Sequence, residues 1–246
     1  MFTIVKKIWE KKFFLRSLLY SIYFNFRFLP FKQAIHLPIL FYKPCFNELK
    51  GKFIIDCEKV KMGMIQLGTL QCSLYPNSGI VFENHGGIVV FKGICVIGNA
   101  SAISVGENGY LEFGYHFKAT AQFRCVAYHH VEFGDKCRFG WDCLVMDTDL
   151  HKLVKDGGGY TKGYGCIKIG NSNWIGTRSF ILKNTETSDF CIISGGSRVS
   201  GKHIYENKVV IGNSNEVKIL KEGLFRDIFD DVVEYEPLCV PYTREK

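Results

Sequence analysis

Along the second half of the chain a large aliphatic side chain recurs at every sixth position, commonly followed by a small residue. The series runs Ile169-Gly170, Ile175-Gly176, Ile181-Leu182, Ile193-Ser194, Val199-Ser200 and Ile211-Gly212, with Thr187-Ser188 and Tyr205 as weaker members. Earlier fragments keep the spacing: Ile97-Gly98 and Ile103-Ser104, then Phe133-Gly134, Phe139-Gly140 and Val145. Val105-Gly106 and Phe113-Gly114 fall out of step, so turns or insertions interrupt the first half. A period of six matches neither a helix nor a simple strand. It predicts short strands joined by tight turns, three to a coil, each hexad sending one side chain to a common axis and placing its glycine where the backbone turns sharply. A single coil buries its interior only by stacking on its neighbours, so the pattern reads as an all-β solenoid. Strands of an ordinary β-sandwich would recur at ~8–12 residues with loops of varied length, and a register held from 169 to 211 argues against that.

Three segments follow: a basic aromatic, partly helical extension at 1–50, a solenoid at 51–220 and a charged tail at 221–246. Asp227 to Glu236 reads as an acidic element packed on a neighbouring subunit. The extension is interrupted by Lys6, Lys7, Glu10, Lys11, Lys12, Arg16, Arg27 and Lys32, and its longest uncharged run, Ser17 to Phe26, is too short to span a bilayer. It lacks the small-residue cleavage site of a signal peptide. Packing against an edge of the core is the expected arrangement, with peripheral contact on the inner face of a membrane as the other reading.

Composition narrows the picture. The 246 residues are 47% hydrophobic and 22% charged, which excludes global disorder. Ten cysteines include no C-x-x-C pair and several sit in strand-like apolar runs, such as Cys95 and Cys191. They read as small buried hydrophobes in a reducing cytoplasm, with no metal site. The net charge of +7 comes without a basic stripe or recognition helix, so it fits anionic small-molecule or glycan partners and not nucleic acid. Gly157 to Gly163 lacks the strand, helix and Lys-Ser/Thr ending of a phosphate loop, and residues 152–166 read as an excursion from the coil. Asn99-Ala100-Ser101 is a glycosylation sequon by pattern only.

The segments Ile169 to Thr177, Ile181-Leu182-Lys183, Ile192 to Ser197 and Ile211 to Ser214 resemble the C-terminal half of hexapeptide-repeat acyltransferases. Phe139 to His151 resembles the catalytic stretch of their polysaccharide and sugar O-acetyltransferase branch, and Tyr23 to Lys32 an extension found in some capsule or surface-polysaccharide members. The resemblance implies a left-handed parallel β-helix, a hand that the crossover rule would not have given. It further implies a homotrimer, acetyl-coenzyme A as cosubstrate, and a sugar, sugar nucleotide or glycan as acceptor.

Acyl transfer to a hydroxyl needs a base, and a histidine is suited to it near neutral pH. His151 follows Asp147 and Asp149 at the end of an apolar run, Leu144-Val145-Met146. A carboxylate on the far ring nitrogen would fix the tautomer; Asp149 is the first choice for that role and Asp147 the second. By the resemblance, Trp174, Gly176 and Thr177 match the family's W-I-G-x turn and Gly195, Gly196, Ser197 and Ser200 its A-G-S-x-V-x turn, so Thr177, Gly195 and Ser200 contact the pantetheine arm. Lys202, Lys218 and Lys221 are the candidate phosphate ligands. Departures at Asn184, at Thr187-Ser188 and at Ser214 to Glu216 weaken the claim on phosphate binding near residue 216 and leave the base untouched. Three other readings stand beside this one: an N-acyltransferase for an amino-sugar nucleotide, a non-catalytic glycan-binding solenoid, and a zinc carbonic anhydrase-like protein drawing on His116, His129, His130 and His151.

Overall fold

The computed structural model of the chain describes residues 2–212 and 216–226, with 2–14 as helical backbone only. The acidic element expected at 227–236, and Cys239, lie outside the described residues. Strands visit three sheets in rotation, so that each pairs with the third one after it. Sheet A has nine strands, and sheets B and C have seven each. In sheet A Ile175 pairs with Ile193 and Ile193 with Ile211, three hexads per coil. In sheet B Val145 pairs with Ile181 and Ile181 with Val199. All six side chains are buried, so the sixth-position aliphatics form columns along one axis. In the N-terminal coils the axis is aromatic: Phe113 stacks between Phe91 and Phe133 at centroid distances of 5.4 and 5.5 Å, close to the spacing between paired strands.

The stack starts earlier than residue 51. Ile39–Phe41 pairs with Ile65–Thr69 in sheet A, and Pro44–Leu49 with Ile80–Asn84 in sheet B. Its parallel part ends at Val209–Gly212, onto which Lys218–Glu222 folds back antiparallel.

The hexad glycines were expected at the sharp turns; the structure puts the turn two residues later. Asp142 (φ 55°) follows Gly140, and Arg178 (φ 59°) follows Gly176. Each left-handed residue donates its N–H to the preceding coil, Asp142 to the Ala121 carbonyl at 3.1 Å and Arg178 to that of Trp141 at 2.8 Å. These bonds offset the cost of a non-glycine residue at positive φ, about 1–2 kcal/mol. The glycines answer to stacking instead: a Cβ on Gly176 would lie 2.5 Å from the Gly195 nitrogen.

Helix α1 (Phe2–Phe28) closes the N-terminal end with Ser17, Ser21 and Asn25 facing inward. Ser17 Oγ accepts from Lys43 N at 2.9 Å and Ser21 Oγ from Phe41 N at 2.9 Å. Asn25 accepts from Ile39 N at 3.1 Å and donates to Ile39 O at 2.7 Å. The open edge of the first strand is thereby satisfied by side chains. Phe24 seals the interior against Phe41 and Phe53, at 4.8 and 4.7 Å. A short helix α2 (Phe31–Ala34) follows. Among the described residues no helix is long and apolar enough to cross a membrane.

Candidate active site

The repeat breaks where sheet B turns toward sheet C. Strand Leu144–Met146 ends, the chain leaves the coil, and it returns as Ile167–Ile169. Antiparallel bridges Thr148 to Tyr164 and Val154 to Tyr160 make the excursion a two-limbed arm, fastened at its base by Asp149 N to Gly163 O, 2.7 Å, and Gly165 N to Asp147 O, 2.9 Å. It therefore begins at residue 148, slightly before the expected 152. His151 lies on the outgoing limb, exposed, one residue after Leu150 in a left-handed conformation. Among the described residues its ring has no hydrogen-bond partner.

The two aspartates occupy different environments. Val145 points inward, so strand parity turns Asp147 inward as well, and it is fully buried. Its carboxylate accepts three backbone N–H groups of the preceding coil, from Tyr128 (2.9 Å), His129 (2.7 Å) and His130 (2.7 Å). Burial pushes this carboxyl above its ordinary value, opposed by the three amide bonds. Asp147 thus braces the corner beneath the arm and does not reach for the histidine ring. Asp149 forms an ion pair with Lys183 of the next coil, whose Nζ also donates to Lys162 O at 3.0 Å. Lys183 holds both limbs of the arm to the stack. In the sequence Lys183 is only part of the Ile181-Leu182-Lys183 motif; the register that pairs Met146 with Leu182 brings it beside the start of the arm, within reach of Asp149.

The coenzyme candidates fall on two corners. Trp174, Gly176, Thr177, Gly195 and Gly196 line the A–B corner, where the Trp174 ring is exposed and Gly196 N donates to Thr177 O at 2.8 Å. Ser200 lies at the B–C corner with His151, its carbonyl 2.9 Å from His203 Nε2. Lys202 projects from sheet C and pairs with Glu186 at 2.9 Å, which partly neutralises its charge. Lys218 and Lys221 sit on the exposed antiparallel strand. The identity of Gly176 follows from coil stacking and requires no cofactor, whereas a Cβ on Gly195 would approach only the Thr177 backbone, its carbonyl at 3.2 Å.

One polar row was not anticipated. On the B–C corner, in the coils preceding His151, Ser104 Oγ lies 2.6 Å from Glu83 Oε1 and 3.2 Å from Tyr128 Oη. The Ser104 bond holds the Glu83 carboxyl below its ordinary value, and burial only partly opposes it. Its signal was the alternation Ile80 to Asn84, which places Glu83 on the outer face.

The histidines proposed for zinc are dispersed. His116 sits at the C–A corner and its carbonyl accepts from Arg138, while His130 Nε2 lies 2.6 Å from Glu132. His129 contacts the Tyr164 ring and, at 3.6 Å, Cys166 Sγ. Among the described residues no three His, Cys, Asp or Glu side chains are grouped to hold a metal. Cys95, Cys125, Cys137, Cys143 and Cys191 are buried as expected, whereas Cys45 and Cys166 are exposed. Asn99 is buried, with its amide donating to the carbonyls of Cys72, Tyr75 and Pro76; the sequon is a loop brace.

No protein-family model matches the chain. Among solved structures, the chain is similar to NeuO, a polySia specific acetyltransferase, at 13% identity over 81% of this chain and 97% of that one, with a TM-score of 0.52. Lesser similarities link it to galactoside acetyltransferase in complex with coenzyme A (15% identity, 85% and 79% coverage, TM-score 0.38) and to a single-site mutant of AntD, an N-acyltransferase from Bacillus cereus in complex with dTDP and coenzyme A (15%, 81% and 90%, TM-score 0.34). The similarity to NeuO establishes the fold of this chain as a left-handed parallel β-helix.

Proposed function

We propose that the chain is an acetyl-coenzyme A-dependent O-acetyltransferase acting on a sugar hydroxyl, in capsule or surface-polysaccharide assembly. The observation that carries this reading is His151: an exposed, unengaged imidazole on an arm clamped by Asp149 and Lys183, at the corner where the chain makes its excursion from the coil. An acceptor hydroxyl gives its proton to the free ring nitrogen as its oxygen attacks the thioester carbonyl. The C–S bond breaks, and the imidazolium returns the proton to the leaving thiolate. Backbone N–H groups at the seam hold the oxyanion. The Glu83, Ser104 and Tyr128 row offers hydrogen-bonding groups for the acceptor's other hydroxyls.

The two corners carrying the candidate residues are separated by sheet B, so one chain does not bring the arm contacts to His151. A homotrimer, with the A–B corner of one copy facing the B–C corner of the next, unites them. The outer faces support this: the middle coils of sheet B present Val126, Leu144, Met146, Phe180 and Leu182, bordered by Arg124 and Arg198, while sheet C presents Glu112, Glu132, Lys168, Glu186 and Lys202. A largely apolar patch suits an interface and a charged ladder suits water.

The test is acetyl transfer from acetyl-coenzyme A to a panel of hydroxyl and amine sugar acceptors, with His151→Ala as control. Turnover on hydroxyl acceptors that falls by ~10²-fold or more in a folded variant supports the reading. Transfer to amines alone makes the enzyme an N-acyltransferase, and absence of acetyl-coenzyme A binding by calorimetry removes the enzymatic reading.

A further inference from the structure

The N-terminal helix is inverted relative to an ordinary surface helix. Its polar stripe, Ser17, Ser21 and Asn25, is buried against the first coil. Its outward face carries Leu15, Leu19, Tyr23 and Phe26 at helical spacing, with Leu19 60% and Tyr23 57% exposed. The Phe26 ring touches Phe31 at 6.1 Å, joining this stripe to α2, whose Phe31 is 72% exposed and is followed by exposed Ile35. A contiguous apolar surface with three aromatic rings therefore faces outward from the end of the solenoid, and contiguous exposed apolar surface marks a docking site. Exposed Arg16, Arg27 and Lys32 flank it.

Charge identifies the occupant. Residues 1–36 contain seven of the 31 Lys and Arg and one of the 24 acidic residues, so this segment carries +6 of the net +7 and the remaining 210 residues only +1. A second copy of the chain would set this positive face against another one, which like-charge repulsion disfavours. An anionic bilayer offers both an apolar layer for the aromatic stripe and negative headgroups for the flanking cations. We propose that α1 and α2 dock the protein in the plane of an anionic phospholipid surface, with the solenoid axis leading away from the membrane. The polar inner stripe makes this possible: by satisfying the edge strand with Ser and Asn, the helix leaves its apolar residues available for lipid.

The experiment is co-sedimentation of the full chain with vesicles of phosphatidylcholine alone or containing roughly one quarter phosphatidylglycerol. Binding to the anionic vesicles at least ~10-fold tighter than to the neutral ones is expected, weakening as salt shortens the Debye length. Leu19→Glu/Phe26→Glu, which alters only exposed positions, should lower anionic-vesicle binding by ~10-fold or more with an unchanged circular dichroism spectrum. Arg27→Gln/Lys32→Gln should lower it less and flatten its salt dependence. Failure to bind anionic vesicles, or equal binding to neutral ones, overturns the proposal. So does a change of assembly mass in the Leu19→Glu/Phe26→Glu variant, because the face would then lie between copies of the chain.

Discussion

Lys183→Met removes the one cation that ties both limbs of the arm to the stack, and its consequence can be bounded from the structure. The side chains of Lys183 and Asp149 are 25% and 33% exposed. Solvent screening therefore holds the ion pair to about 0.5–1 kcal/mol. The second bond, to the Lys162 carbonyl, adds about 1 kcal/mol. Together they bias the arm toward its docked position by about 1.5–2 kcal/mol, a factor of ~10–30 in the docked-to-undocked ratio. If His151 acts only from the docked arm, Lys183→Met lowers kcat by at least ~2-fold, the fall from near-full to half docking when the clamp supplies the whole bias, and by at most ~10–30-fold, short of the ~10²-fold or greater loss expected for His151→Ala. The melting temperature falls by no more than ~8 °C, because a chain of this size loses about 2–4 °C per kcal/mol.

The assay is steady-state acetyl transfer over a range of pH, with thermal melts on the same samples. A positioning role leaves the shape of the pH profile unchanged. Unaltered kcat would show that the clamp does not govern the base; a loss beyond ~10²-fold would mean that Lys183 touches the reacting atoms. Asp149→Asn completes the cycle. If Asp149 acts only through Lys183, the double variant is no worse than either single one. If Asp149 also orients the His151 ring, as the resemblance implies, Asp149→Asn exceeds Lys183→Met and displaces the acidic, ascending limb of the pH profile, where the base must shed its proton.

Asp147→Ala leaves three buried N–H donors without their acceptor and should cost about 3–5 kcal/mol in denaturant unfolding; a loss under ~1 kcal/mol would show that the amides find other partners. Because burial raises the Asp147 carboxyl in the folded state, wild type should gain stability relative to Asp147→Asn as pH falls from neutral through that raised value, and lose it again as pH rises. Melts from pH 7 to pH 4 read the sign. Gly176→Ala forces a Cβ to within 2.5 Å of the Gly195 nitrogen and should cost about 1–3 kcal/mol, whereas Arg178→Gly should be neutral within about 1 kcal/mol; the reverse order would refute the stacking account. Phe180→Glu on the outer face of sheet B should yield folded monomers without transferase activity, detected by analytical ultracentrifugation. Burial pushes the Cys143 thiol up to about 11 and Cys137 up to about 12, so Cys45 and Cys166 should react with thiol reagents in the native protein and these two should not.

The solenoid was legible because each hexad delivers one inward side chain, and the columns 169 to 211 repeat without interruption. The first coils were not legible, since their corners vary in length. Strand Pro44–Leu49 carries Pro44, Asn47 and Glu48 with no trailing glycine, and the loop after Ile65–Thr69 is shaped by the distant Asn99. At the site, the motif Asp147-Thr148-Asp149-Leu150-His151 showed two acids near a base but not which way each faces. Counting by twos from Val145 would have turned Asp147 inward. No local signal announces Lys183, because its role comes from stacking across the long excursion.

A β-helix assigns chemistry by exception. Regular corners spend polar groups on backbone: Asp142 and Arg178 donate to the preceding coil, Asn99 and Asp147 tie down backbone, and Gly140 and Gly176 abut the next coil. A residue that looks like a cofactor contact in the sequence, Gly176, is accounted for by that regularity. The excursion lifts the His151 ring out of the repeat, without a hydrogen-bond partner among the described residues, and the clamp at Lys183 ties its arm to the stack. The same logic runs at the N-terminal end, where spending Ser17, Ser21 and Asn25 on the open edge strand turns an apolar face outward. The proposed base and the proposed membrane face both lie where side chains are released from stacking, so variants at these two places should alter activity or docking while the columns between them hold the fold.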